Sequence, residues 1–117
     1  MHITNITVYN LFLAGNDGQF RYQGALPDAD EIVIRQITFA SESPSRGIYL
    51  IQSNINNGII GVCSAASSIG NPGTTIKPHS PLPNYLTFQL MMPESPPYSA
   101  VMPPGDFISI SMDFIKY

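Results

Sequence analysis

Charge is the scarcest thing in this sequence: 11% of its 117 residues are Asp, Glu, Lys or Arg, where about a quarter is usual. The five cations, Arg21, Arg35, Arg46, Lys77 and Lys116, stand singly, and the net charge is −3. A phosphate-binding face needs clustered Lys and Arg. Nucleic acid is therefore excluded as an expected partner. There is no tryptophan, and a single cysteine, so no internal disulfide forms. Cys63 stands in the apolar run Ile59-Ile60-Gly61-Val62-Cys63, where a thiol reads as a small buried hydrophobe. No apolar run approaches the ~20 residues of a membrane helix. The chain opens on Met1-His2-Ile3-Thr4-Asn5, without a basic segment followed by an apolar one. That predicts no secretory signal and synthesis in a reducing cytoplasm.

What is present argues for an ordered domain. Hydrophobic residues make up 44%, whereas disorder pairs low hydrophobicity with high charge. The length fits one domain, residues 1–117, with one core. Eleven prolines and nine glycines interrupt the chain too often for helices of ordinary length. Between them lie runs rich in Ile, Val, Phe, Tyr and Thr, the strand formers. Eight strands are expected, at Ile3–Leu13, Gln19–Gln23, Glu31–Ala40, Gly47–Asn54, Gly58–Ser64, Thr74–Lys77, Tyr85–Met92 and Phe107–Tyr117. The last is the cleanest. Ile108, Ile110, Met112 and Phe114 share one face, while Ser109, Ser111 and Asp113 lie between them, as in a strand with one buried side. Such a strand should be central to its sheet. In Glu31–Ala40 the run Ile32-Val33-Ile34 suggests cover on both faces over the first half.

Asn57-Gly58 is the strongest hairpin signal, because both residues tolerate positive φ. Asn16-Asp17-Gly18 is expected to join the first two strands in the same way. Two longer segments, Ser67–Pro83 and Pro93–Gly105, the second with five prolines, read either as loops presented to a partner or as inert crossovers. The whole predicts an all-β antiparallel sandwich, jelly-roll-like or a small barrel.

The residues offer little chemistry. His2, His79 and Cys63 are too dispersed for a zinc site, and no cofactor or metal is expected. No Gly-x-Ser-x-Gly elbow or phosphate loop occurs. Asp28, Asp30 and Glu31 form the one carboxylate cluster, which reads as a solvated turn. Tyr9, Tyr49 and Tyr85 fall in predicted strands, where packing is the default. Tyr98, in Pro96-Pro97-Tyr98, is the aromatic expected to be exposed in a loop. The sequence predicts a binding or structural module, not an enzyme.

Glu31-Ile32-Val33-Ile34-Arg35-Gln36-Ile37-Thr38-Phe39, Gly47-Ile48-Tyr49-Leu50-Ile51, Leu86-Thr87-Phe88-Gln89-Leu90 and the closing Gly105–Tyr117 together resemble segments of small capsid-associated β-sandwich proteins of large DNA viruses and virophage-like particles. These are of penton, fibre-head or decoration type. The resemblance implies a virion component acting through protein–protein packing, a homotrimer or pentamer that also contacts other capsid proteins. The alternative it leaves open is a carbohydrate- or receptor-binding head, with Tyr98, Asn71 and His79 as loop contacts to a glycan or host receptor.

Overall fold

The computed structural model describes residues 1–13, 17–41, 48–64, 74–78 and 82–117. These residues contain no helix. The strands are β1 (His2–Leu11), β2 (Gln19–Tyr22), β3 (Glu31–Ala40), β4 (Ile48–Ser53), β5 (Gly58–Ser64), β6 (Thr74–Ile76), β7 (Leu86–Met92), β8 (Tyr98–Ser99) and β9 (Phe107–Lys116). One sheet runs β1-β9-β3-β6 and the other β2-β7-β4-β5, with β8 beside β7. Antiparallel pairs join β1 to β9, β2 to β7, β3 to β6 and β4 to β5. A long hairpin whose arms are rolled around each other has this order. With the two-residue β8 set aside, it is the two-Greek-key order of a jelly roll. The chain is an antiparallel β-sandwich.

Alternation places the core. Ile108, Ile110, Met112 and Phe114 of β9 are all buried and face Leu86, Phe88 and Leu90 of β7 in one cluster. Each such side chain contributes about 1.5–3 kcal/mol on burial. Phe20 stacks on Phe88 at 5.0 Å, and Phe39 meets Tyr49 edge-on at 5.5 Å. As the alternation predicts, β9 is central, hydrogen-bonded to β1 on one side and β3 on the other.

In β3 the apolar pattern changes phase. Ile32 and Ile34 point inward at even positions, but Ile37 and Phe39 do so at odd ones. A period-2 strand can do this only by gaining a residue. The extra one is Arg35: Ile34 pairs with Met112 and Gln36 with Ser111, leaving Arg35 unopposed as a β-bulge. On the outer face, Val33 and Ile115 are each 7% exposed although they belong to no part of the central cluster. The cover expected on both sides of the first half of β3 is therefore present.

One expectation is corrected, and two readings are narrowed. Asn16-Asp17-Gly18 does not close a hairpin. Its flanking strands lie in different sheets, β1 against β9 and β2 against β7, and Asn16 itself lies outside the described residues. The Pro93–Gly105 segment is not wholly presented outward. Its Tyr98–Ser99 forms β8 against Met91 and Met92, and the segment buries Ala100 and Met102. Of the three strand tyrosines expected to pack in the core or on a sheet, Tyr49 is buried. Tyr9, 71% exposed, lies on the sheet face with its ring 6.4 Å from Phe107, and Tyr85, 44% exposed, lies under the Arg21 guanidinium. The β4–β5 hairpin is as expected. Asn57 sits at φ 54°, and Ile55 at its tip is buried.

Candidate interaction surfaces

The carboxylate cluster is a clamp on the end of β9. Lys116 Nζ lies 3.0 Å from Asp30 and 3.4 Å from Asp28, and Tyr117 donates its N–H to Asp30 and its hydroxyl to Glu31, both at 2.9 Å. The backbone N–H of Tyr117, then the Lys116 ammonium, hold the Asp30 carboxyl below its ordinary pKa. These carboxylates are engaged with each other's partners in solvent and form no enclosed pair for acid–base work. Cys63 is buried, and desolvation pushes its thiol up to about 12. No group of three potential metal ligands occurs among the described residues.

Two surfaces stand out among the described residues. The first is a shallow polar groove of about 340 Å³ on the outer face of the second sheet, lined by Gln19, Gln52, Asn54, Thr87, Gln89 and Ser99 among others. Strand register makes it. Gln19 of β2, Gln89 of β7 and Gln52 of β4 fall side by side in one row. Gln89 is fixed by donating to the carbonyls of Asp17 (2.6 Å) and Leu90 (3.0 Å). Asn54 is fixed by its amide, which donates to Tyr85 C=O and accepts from Thr87 N–H. Gln19 and Gln52 are exposed and free to hydrogen-bond a neutral polar ligand. The Arg21 guanidinium lies 5.6 Å from the Tyr85 ring at the groove's side. Tyr98 is 54% exposed, as expected, but does not line the groove. Asn71 and His79 lie outside the described residues.

The second surface is β1. Among the described residues it closes one side of the first sheet with a free edge ten residues long, unbroken by bulge or proline. The other edges are short or irregular: β6 has three residues, β2 four, and the β4–β5 ladder shifts register between Ile51 and Gln52. Phe12 donates its N–H to Asp106 C=O at 2.8 Å, in step with the β1–β9 register. Antiparallel residues alternate between bonding across the pair and bonding away from it. The even-numbered residues of β1 thus bond β9, and Ile3, Asn5, Thr7, Tyr9 and Leu11 turn their N–H and C=O groups to the open edge. The same five point outward, and Ile3, Tyr9 and Leu11 are exposed apolar residues. Sequence reading missed this edge because an edge is defined by what does not pair. The signal that was present is the absence of Lys, Glu and Pro from His2–Leu11, the residues that ordinarily protect such strands.

No protein-family description, curated protein or solved structure matches this chain.

Proposed function

We propose that this chain is a non-enzymatic building block that self-associates, a structural virion protein of capsid, penton or surface-projection type. Jelly-roll sandwiches serve viral capsids, and also lectins and cupins, so the fold by itself does not choose among them. The observation that carries the choice is the long, uncharged, unprotected edge of β1 beside a sheet face of Asn5, Thr7, Ser109, Ser111 and Thr38, on which the charges of Asp113 and Arg35 neutralise each other. Neutral polar faces of this kind tile against copies of themselves without like-charge repulsion. Partners would be further copies of the chain and other capsid proteins. Light scattering in solution tests the reading. A mass above the 12.8 kDa of one chain is expected, and a monomer at every concentration overturns it.

A second reading, a head that binds a carbohydrate or receptor, draws on the glutamine row of the groove. Its ligand would be neutral and rich in hydroxyl groups, matched to the free amides of Gln19 and Gln52. A glycan array with no hits for the chain, or hits unaffected by Gln52→Ala, overturns it.

A further inference from the structure

We propose that β1 pairs with β1 of a second copy, antiparallel about a two-fold axis through Ile6, joining two four-stranded sheets into one continuous sheet. The inference rests on the self-association reading above and specifies its contact. An isologous interface requires a surface complementary to itself, and β1 meets that requirement in one register.

Two conditions restrict the pairing. Residues that turn N–H and C=O to the edge must face each other, and outward side chains must lie beside outward side chains. Both put odd residues opposite odd ones, so the axis passes through a single residue. With the axis at Ile6, Ile3 faces Tyr9 of the second copy, Met1 faces Leu11, and Asn5 faces Thr7. Every exposed apolar residue of the strand then meets another; Met1, Ile3, Tyr9 and Leu11 are 82%, 47%, 71% and 57% exposed in the isolated chain. Moving the axis to Asn5 puts Ile3 against Thr7 and leaves Leu11 without an apolar partner. Moving it to Thr7 puts Asn5 against Tyr9. On the inner side Ile6 would meet Ile6, extending the core line across the junction. The strand carries no Asp, Glu, Lys or Arg, so no like charges oppose. Reciprocal bonding of residues 3, 5, 7 and 9 makes about eight interchain backbone hydrogen bonds. A two-fold edge contact also departs from the trimer or pentamer that the family resemblance implies.

The test uses the full chain. Ile3→Lys/Tyr9→Lys places cations on the edge at exposed positions. The wild-type chain is expected to run as a dimer by light scattering, and this variant as a folded monomer with half that mass. For the register, Ile3→Cys chains are mixed with Tyr9→Cys chains and oxidised; the opposed Cα atoms, about 5.5 Å apart, lie within disulfide range. Disulfide dimers are expected from the mixture and not from either variant alone, because native Cys63 is buried. Thr7→Cys cross-linking to itself would overturn the Ile6 axis. An oligomer that persists in the lysine variant would overturn the β1 contact while leaving self-association standing. A wild-type monomer throughout overturns both.

Discussion

Arg35 Nε donates to Asp113 Oδ2 at 2.6 Å, and Arg35 is the residue of β3 that faces no counterpart on β9. Asn5 of β1 donates to the same carboxylate at 2.9 Å. One acid on the central strand thus ties down both neighbouring strands, one of them at its bulge. The bulge lets Ile32 and Ile34 share the core with Ile37 and Phe39. Deleting Arg35 should restore a strict two-residue period with Ile32, Ile34, Ile37 and Phe39 all still facing the core, at the cost of the ion pair to Asp113. A chain lacking Arg35 is therefore expected to keep a cooperative thermal transition by circular dichroism. Deleting Gln36 together with Arg35 should put Ile37 and Phe39 out of phase with Ile32 and Ile34 and abolish it.

Removing the side chain alone is a milder matter. Half of the Arg35 side chain is exposed, and such pairs couple by about 0–1 kcal/mol. Asp113→Ala should cost more than Arg35→Ala, because it also removes the shortest hydrogen bond of the Asn5 amide, which keeps only its 3.2 Å contacts to Ser111 and Met112. A double-mutant cycle in urea measures the difference.

The last strand should tolerate little loss. Phe114 is 1% exposed in the core, and Phe→Ala at such a site costs about 3–5 kcal/mol against a total of roughly 5–15 kcal/mol. Deleting residues 113–117 removes Phe114 together with the Asp113 and Lys116 contacts. That truncation is expected to be unfolded by circular dichroism; a cooperatively melting product would place the segment outside the folding core.

Stability should fall on the acid side. Hydrogen bonds from Tyr117 and Lys116 lower Asp30, and those from Asn5 and Arg35 lower Asp113. A lowered carboxyl stabilises the fold above its unfolded pKa of about 3.9, and that contribution is lost as pH falls through the folded value. Lys116, raised chiefly by its hydrogen bond to Asp30, contributes below about pH 10.4 and loses its share as pH rises through the folded value. Melting temperature is therefore expected to be flat from about pH 4 to about pH 8.5 and to drop below that range. It should also fall above it, where the thiol of Cys63, pushed up to about 12 by burial, stays protonated in the fold while the unfolded thiol ionises. Asp113→Asn should flatten the acid limb.

Gly61 is where β5 comes close to β3. A Cβ there would lie 2.8 Å from Ile37 Cδ1. The clashing atom is a side-chain tip, so Gly61→Ala should cost about 1 kcal/mol, the low end for overpacking. Ile37→Val removes that tip. The double variant should be less destabilised than the sum of the singles, as measured by denaturant midpoints.

Local chemistry carried much of the fold. Alternation along Phe107–Lys116 and Leu86–Met92 gave their inward faces directly, and Asn57 marked its own turn by tolerating positive φ. What depended on distant partners was not legible. Nothing near Asn16-Asp17-Gly18 distinguishes a hairpin from a step between sheets, because the choice is made by β9 and β7. The phase change at Arg35 lay in the sequence, but it reads as a bulge only once Met112 and Ser111 are seen opposite. The glutamine row is assembled from three strands by register alone, and Tyr98 was found exposed yet apart from it.

The pairing of β1 with β9 also sets a clock. Asn5 must wait for Ser111, 106 positions later, before its sheet can close. At usual rates of synthesis that is on the order of 5–20 s, during which β1 has neither side satisfied. Non-local sandwiches fold slowly even once complete. On the pairing proposed above, the segment that meets a second copy is thus also the one left longest without a partner within its own chain.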